Sequence, residues 1–165
     1  VTDSTSPFGI RALTAADHQA LAALMVEMQA HYRVPCPPLQ AILDGLAKRP
    51  DGVEILIAER QGALLGFASA CAIYPGPGLT SGFFLKELYV ADAARGRGRG
   101  IGRALMRALV ELALVRGHKR LDWTADATNP DLLRFYEGIG AIAQREKVFY
   151  RLAGEALSGL ARTEA

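Results

Sequence analysis

The sequence predicts an α/β domain, on three observations. Runs of strand type alternate along the chain with stretches whose apolar residues recur at helical spacing. One strand-like run leads into a basic, glycine-rich loop, Arg95 to Gly102, and straight on into a helical pattern. The 165 residues, 50% of them hydrophobic and 22% charged, suffice to bury one sizeable core. No repeat, linker or composition break divides them, so a single domain over residues 1–165 is expected.

Phe8 to Leu13 reads as a first strand. Thr14 with Asp17 three residues later resembles a capping box, and Leu21, Leu24, Met25 and Met28 follow at helical spacing. Pro35, Pro37 and Pro38 break that helix; Leu39, Ile42, Leu43 and Leu46 mark a shorter one, ended by Pro50 and Gly52. Val53 to Glu59 and Leu64 to Tyr74 are strand-like, with Gln61-Gly62 as the turn between them. Pro75-Gly76-Pro77-Gly78 punctuates the chain before Phe83 to Val90, a further strand.

Ile101, Leu105, Leu109 and Leu112 then form one apolar face of a helix spanning about 27 Å if it runs from Gly100 to Gly117. Arg120 to Thr124 is a strand. Asn129 reads as an N-cap, Pro130 as the first helical residue and Asp131 as a first-turn acid. Leu132, Phe135, Tyr136 and Ile139 are that helix's buried stripe, and Gly140 suits its C-terminal cap. Val148, Tyr150 and Leu152 alternate as a late strand, and Glu155 to Ala161 forms a last amphipathic turn or two.

The formal net charge is only +2, but Arg95, Arg97, Arg99 and Arg103 lie within nine residues. Charge this local predicts a focused anionic ligand rather than a nucleic-acid-binding face. Two cysteines, Cys36 and Cys71, make no disulfide framework. His18, His31 and His118 are scattered, without metal-ligand spacing, so no metal is expected. No signal-peptide pattern and no run of membrane-spanning length is visible, which points to a cytoplasmic protein.

The basic loop carries the chemistry. Glycines let backbone approach a ligand, and a helix N-terminus directs unpaired N–H groups at it; with the arginines they make a seat for a pyrophosphate. The dinucleotide pattern G-x-G-x-x-G fails, because after Gly98 and Gly100 the last glycine position holds Arg103. No G-x-x-x-x-G-K-[ST] occurs, and an RGG-type RNA-binding tract would not run directly into an amphipathic helix.

Arg97-Gly98-Arg99-Gly100-Ile101-Gly102 resembles the coenzyme A loop of the GCN5-related N-acetyltransferases, [RQ]-x-x-G-x-[GA]. Asn129 to Tyr136, NPDLLRFY, is similar to the family's N-x-x-x-x-x-F-Y helix, and EGIGA follows it as in relatives. The tail Tyr150 to Leu157 and LDW at Leu121 to Trp123 look like the diamine branch, the spermidine/spermine and thialysine acetyltransferases. Two departures stand out. The loop holds one Arg–Gly pair more than the pattern calls for, so the spacing from Val90 lands on Arg95 while the GIG end selects Arg97. Polyamine acetyltransferases carry a glutamate where this chain has Lys86, although Glu87 matches an acidic position of that branch.

The resemblance implies a mixed, mostly antiparallel sheet of six or seven strands with helices on both faces. It implies acetyl-CoA as co-substrate, lying where the strand ending at Val90 splays from the strand near Arg120 to Ala125. Cofactor contacts then fall to Arg95, Arg97, Gly98, Arg99, Gly100, Gly102 and Arg103 of the loop, to backbone near Leu88 and Val90, and to Asn129 and Tyr136. An N–H near Leu88 or Val90 would stabilise the oxyanion.

Tyr136 has two readings. By spacing it is a core aromatic beside Phe135; by resemblance it is the general acid that protonates the coenzyme sulfur, as a phenol of pKa ~10 can. Glu87 is either a surface strand carboxylate or the group that attracts the acceptor ammonium and takes its proton. Asn129 is a simple N-cap or a cap that also touches the cofactor. The expected activity is acetyl transfer to a small primary amine by direct attack, with a homodimer implied by the diamine branch. A lysine or N-terminal protein acetyltransferase, or a non-catalytic coenzyme A- or RNA-binding domain, are the alternatives.

Overall fold

The structure, a computed structural model, describes residues 8–96 and 100–162. It contains five strands and five α-helices: β1 Gly9–Ala12, α1 His18–Tyr32, α2 Leu39–Ala47, β2 Val53–Arg60, β3 Ala63–Ile73, β4 Gly82–Val90, α3 Ile101–Val115, β5 Leu121–Asp122, α4 Pro130–Glu137 and α5 Gly154–Arg162. The chain divides into two compact units, Val1–Trp123 and Thr124–Ala165.

The first unit holds one sheet in the order β1-β2-β3-β4-β5. The first four strands are mutually antiparallel and β5 joins β4 in parallel, so the sheet is mixed and mostly antiparallel, as expected. Both faces of β3 are covered, since Leu65 to Ala70 are all buried. One face belongs to α3: a Cβ on Gly66 would lie 3.4 Å from Leu105 Cδ1 and only 2.6 Å from the Tyr89 carbonyl, so only glycine lets the backbones approach this closely. The other belongs to α1, whose Glu27, His31 and Tyr32 all touch Tyr89. Tyr89, Phe67, Phe83, Leu21, Ile57, Leu105 and Leu109 are the largest fully buried side chains.

Local chemistry sets the helix starts. The predicted box before α1 is present: Asp17 Oδ2 accepts from the Thr14 N–H at 2.8 Å and from its hydroxyl at 2.7 Å. Arg11 binds both oxygens of the same carboxylate, at 2.7 and 2.8 Å. This holds the Asp17 carboxyl far below its usual range, the Arg11 hydrogen bonds contributing most.

Three expectations need correction. The sheet has five strands among the described residues, not six or seven. The alternating segment Val148–Leu152 forms no strand, and Val148, Phe149, Tyr150 and Leu152 are exposed. Period-2 apolar alternation makes a strand only beside a partner edge. The strand expected at Arg120 to Thr124 shrinks to Leu121–Asp122, because its ladder to β4 ends after Phe84↔Asp122. Smaller shifts occur at α4, which stops at Glu137. Gly138 is its C-cap and remains right-handed, while Gly140 makes the later turn at φ +92°.

Candidate active site

The first part of the site is an open strand edge. β4 bonds to β5 only at its start, where the Phe83 N–H donates to the Arg120 carbonyl at 3.0 Å. From Leu85 to Val90 that side of β4 has no ladder partner among the described residues. Which groups point there is fixed by a bulge. Ser69 pairs with Glu87 and Ala70 with Leu85, which leaves Lys86 as an extra residue in β4. At the far end the Ala91 N–H donates to the Leu65 carbonyl at 2.9 Å. Alternation then turns Tyr89 and Glu87 toward β3, and turns the N–H and C=O groups of Leu88 and Val90 outward to the open edge. The amides expected to polarise a carbonyl therefore face away from the ladder.

The second part is the start of α3. Gly100 is its N-cap, in the left-handed region at φ +65°, and the first helical bond is from the Ala104 N–H to the Gly100 carbonyl at 2.8 Å. The amides of Ile101 and Gly102 precede that bond and project from the positive end of the helix dipole. A Cβ on Gly100 would meet nothing within 4 Å, so the glycine serves its backbone angle and leaves open space above the helix end. Arg103, the third residue of α3, is exposed. Arg97, Gly98 and Arg99 lie outside the described residues.

Arg95 turns back onto the body of the unit. Its Nη2 donates to the Val90 carbonyl at 2.9 Å, and its Nη1 is 3.2 Å from Asp92 Oδ1 and 2.9–3.0 Å from the His31 ring nitrogens. Its guanidinium carbon sits 5.0 Å from the centre of the Tyr89 ring. Tyr89 is buried, and its hydroxyl donates to Glu27 Oε1 at 3.0 Å; the same oxygen accepts the Asp92 N–H at 2.7 Å. Burial, then the Glu27 contact, pushes the Tyr89 phenol up to about 12, so it stays a donor.

Glu87 pairs with Ser69 and so shares the α1 face of the sheet with Tyr89. Its Oε1 is 3.3 Å from Lys86 Nζ. The last residue of α1, Tyr32, is close enough that burial and then the Glu87 charge raise its phenol pKa. Glu27, His31, Tyr32 and Asp92 were not legible as site residues. Glu27 and Tyr89 lie 62 positions apart, and no local spacing announces their contact.

In the second unit, the Asn129 side chain accepts the Leu132 N–H at 3.1 Å, the N-cap the sequence predicts. Asp126 Oδ1 accepts the Thr128 N–H and hydroxyl at 2.8 and 2.7 Å, which shapes the turn into the cap and lowers the Asp126 pKa. Tyr136 lies on α4, half-buried, with its ring centre 5.2 Å from that of Phe135. No cluster of three potential metal ligands occurs among the described residues. No helix among them is long and apolar enough to cross a membrane.

The chain belongs to the Acetyltransferase (GNAT) family, which it matches over residues 18–141. It is 28% identical to L-ornithine N5-acetyltransferase of Arabidopsis thaliana over 95 residues, 58% of this chain and 41% of that protein. The chain thus spans about two-fifths of the length of that curated relative. Among solved structures, an integron cassette protein from the mobile metagenome of V. cholerae is similar at 32% identity and TM-score 0.85, covering 95% of this chain and 99% of that one. A ribosomal-protein-alanine N-acetyltransferase from Brucella melitensis shares the fold at 24% identity and TM-score 0.72, covering 87% of this chain and 98% of that one.

Proposed function

We propose that this protein transfers an acetyl group from acetyl-CoA to a primary amine of a small molecule, by direct attack within a ternary complex. The observation that carries the proposal is the pairing of an open β4 edge with the amides of Ile101 and Gly102 at the start of α3. The donor set suits the coenzyme: amide N–H groups and arginines for phosphates, and strand N–H and C=O groups for an amide-bearing arm. When bound, the coenzyme supplies the activated acetyl thioester.

The rest falls to the chain's own residues. The outward N–H of Leu88 or Val90 donates to the carbonyl oxygen as negative charge grows there. The phosphate seat comprises Arg97 to Gly102 with Arg103, and Arg95 stands at its base. Glu87 attracts the acceptor ammonium, whose pKa of ~10.4 requires a proton to leave before attack, and takes that proton directly or through water. Tyr136 returns a proton to the departing sulfur; the motif and phenol chemistry support this assignment. Asn129 caps α4 and contributes to the coenzyme site.

The ornithine acetyltransferase relative favours an amino acid or diamine acceptor. The family match runs across both compact units, which favours one working domain. A homodimer belongs to the proposal, because exposed Phe149, Tyr150, Leu157 and Leu160 offer apolar surface to a second copy. So does a cytoplasmic location, which two free cysteines without a disulfide framework favour.

The test is a panel of amines, amino acids and peptides incubated with acetyl-CoA, with thiol release followed. Turnover of ornithine-like amines ahead of peptides is expected. Faster acetylation of peptides would transfer the activity to protein substrates, and no turnover of any acceptor would refute it.

A further inference from the structure

We infer that Arg95 is a positioning residue that clamps the base of the coenzyme loop, rather than a phosphate ligand. The inference rests on the coenzyme reading of the loop for its kinetic arm, and on contacts within the first unit for the rest.

Three elements meet at this guanidinium. Through Nη2 it holds the Val90 carbonyl, the last residue of β4. Through Nη1 it holds Asp92, in the 3-10 turn Asp92–Ala94 that opens the loop, and His31 on the last turn of α1. Its guanidinium carbon lies over the buried Tyr89 ring. Behind it, Glu27 on α1 takes both the Tyr89 hydroxyl and the Asp92 N–H. The ends of α1, β4 and the turn are thereby joined by charge-assisted bonds to two groups, Arg95 and Glu27. An Arg95 that reached for a phosphate would give up the Val90 carbonyl and the Tyr89 ring, and would leave the Asp92 carboxylate only His31, 3.6 Å away, and solvent.

The clamp has a second effect. The Val90 carbonyl points to the open side of β4, where an arriving amide would find an acceptor. Arg95 occupies it. The edge is left with the N–H groups of Leu88 and Val90 and the Leu88 carbonyl, a bias toward donors next to the helix end. The same assignment accounts for the extra Arg–Gly pair: the pair at Arg95-Gly96 belongs to the clamp, and Arg97 is the arginine that the GIG end of the motif selects.

Two measurements test this. In the free protein, hydrogen exchange of the Ala91–Arg95 amides should quicken in Arg95→Ala and less so in Arg95→Lys, which keeps a charge but loses the fork. His31→Gln should give a smaller rise in the same segment. A phosphate ligand would leave the free protein's exchange at the wild-type rate, and that result overturns the inference. In turnover, acetyl-CoA is compared with S-acetylpantetheine, which lacks the pyrophosphate. Arg95→Ala should lower kcat/KM by up to ~10²-fold for both donors, the scale of a displaced positioning group, with their ratio unchanged. Arg97→Ala should lower it for acetyl-CoA alone. A loss in Arg95→Ala confined to acetyl-CoA overturns the clamp. Wild-type protein that uses neither donor refutes the activity instead, and the exchange result still decides the role of Arg95.

Discussion

The two compact units differ in where their apolar side chains go. In residues 8–123, α1, α3 and the sheet enclose a core in which Phe67, Ile57, Leu21, Leu105 and Leu109 are fully buried. In residues 124–162, neither α4 nor α5 buries a single residue, and Ile142, Val148, Tyr150 and Leu160 are exposed. Local bonds shape the second unit, among them the Asp126 turn, the Asn129 cap and the ion pair of Arg134 with Asp131. The residues that form the buried core thus lie in one unit, while the proposed acid, Tyr136, belongs to the other. Where a group contributes to turnover and where it contributes to folding are separate questions in this chain.

That separation can be broken by substitution. The largest effect is expected at Tyr136→Phe, which should cut kcat by ~10²–10⁴-fold with little change in melting temperature. An unchanged rate would remove Tyr136 from the chemistry. Leu105→Ala, in the packed unit, should cost ~2–5 kcal/mol of stability in a denaturant titration. A cost below 1 kcal/mol would mean the core relaxes around the gap. Asn129→Ala should cost ~1 kcal/mol through loss of the cap, read by the same titration.

The smallest effect should come from Leu160→Ala, within ~0.5 kcal/mol for the monomer because that side chain is exposed. A larger loss that grows with protein concentration would show a partner covering it.

Acid should act on the first unit through Asp17. Its folded pKa is depressed, so its contribution to stability is present above the ordinary carboxylate pKa of ~3.9 and fades as pH falls through the folded value. Thermal melts should find Asp17→Asn less stable than wild type at pH 7, with the gap closing toward pH 2. A gap that is constant with pH would show that the Arg11 contact is not linked to proton uptake.

Much of this architecture was legible because its signals are local. The Thr14–Asp17 box, the prolines after α1, the Gln61-Gly62 turn and the Asn129-Pro130 start of α4 are each written within a few residues. So was the strand–loop–helix unit ending in α3. What failed was non-local. The alternation at Val148, Tyr150 and Leu152 looks the same with or without a neighbouring strand. The bulge at Lys86 exists only in the pairing of β4 with β3. The Arg95 cluster brings His31 within hydrogen-bond reach across 64 positions, which no motif encodes. The loop's charge was visible, but that Arg95 turns inward depends on what lies beneath it.

The bulge at Lys86 works as a parity switch. Upstream of it, odd-numbered residues such as Phe83 turn their amides to β5; downstream, odd-numbered residues turn theirs to β3. Removing Lys86 alone would restore one-to-one pairing: Glu87 would stay opposite Ser69 and Leu85 opposite Ala70, Phe83 would still offer its amide to β5, and Leu88 and Val90 would still face outward. Removing a neighbour such as Leu88, with the Val90 end held, would instead move Glu87 to the opposite face before the bulge absorbed the change. The extra residue is thus the one place where β4 can lose a residue without a change of address for any other group.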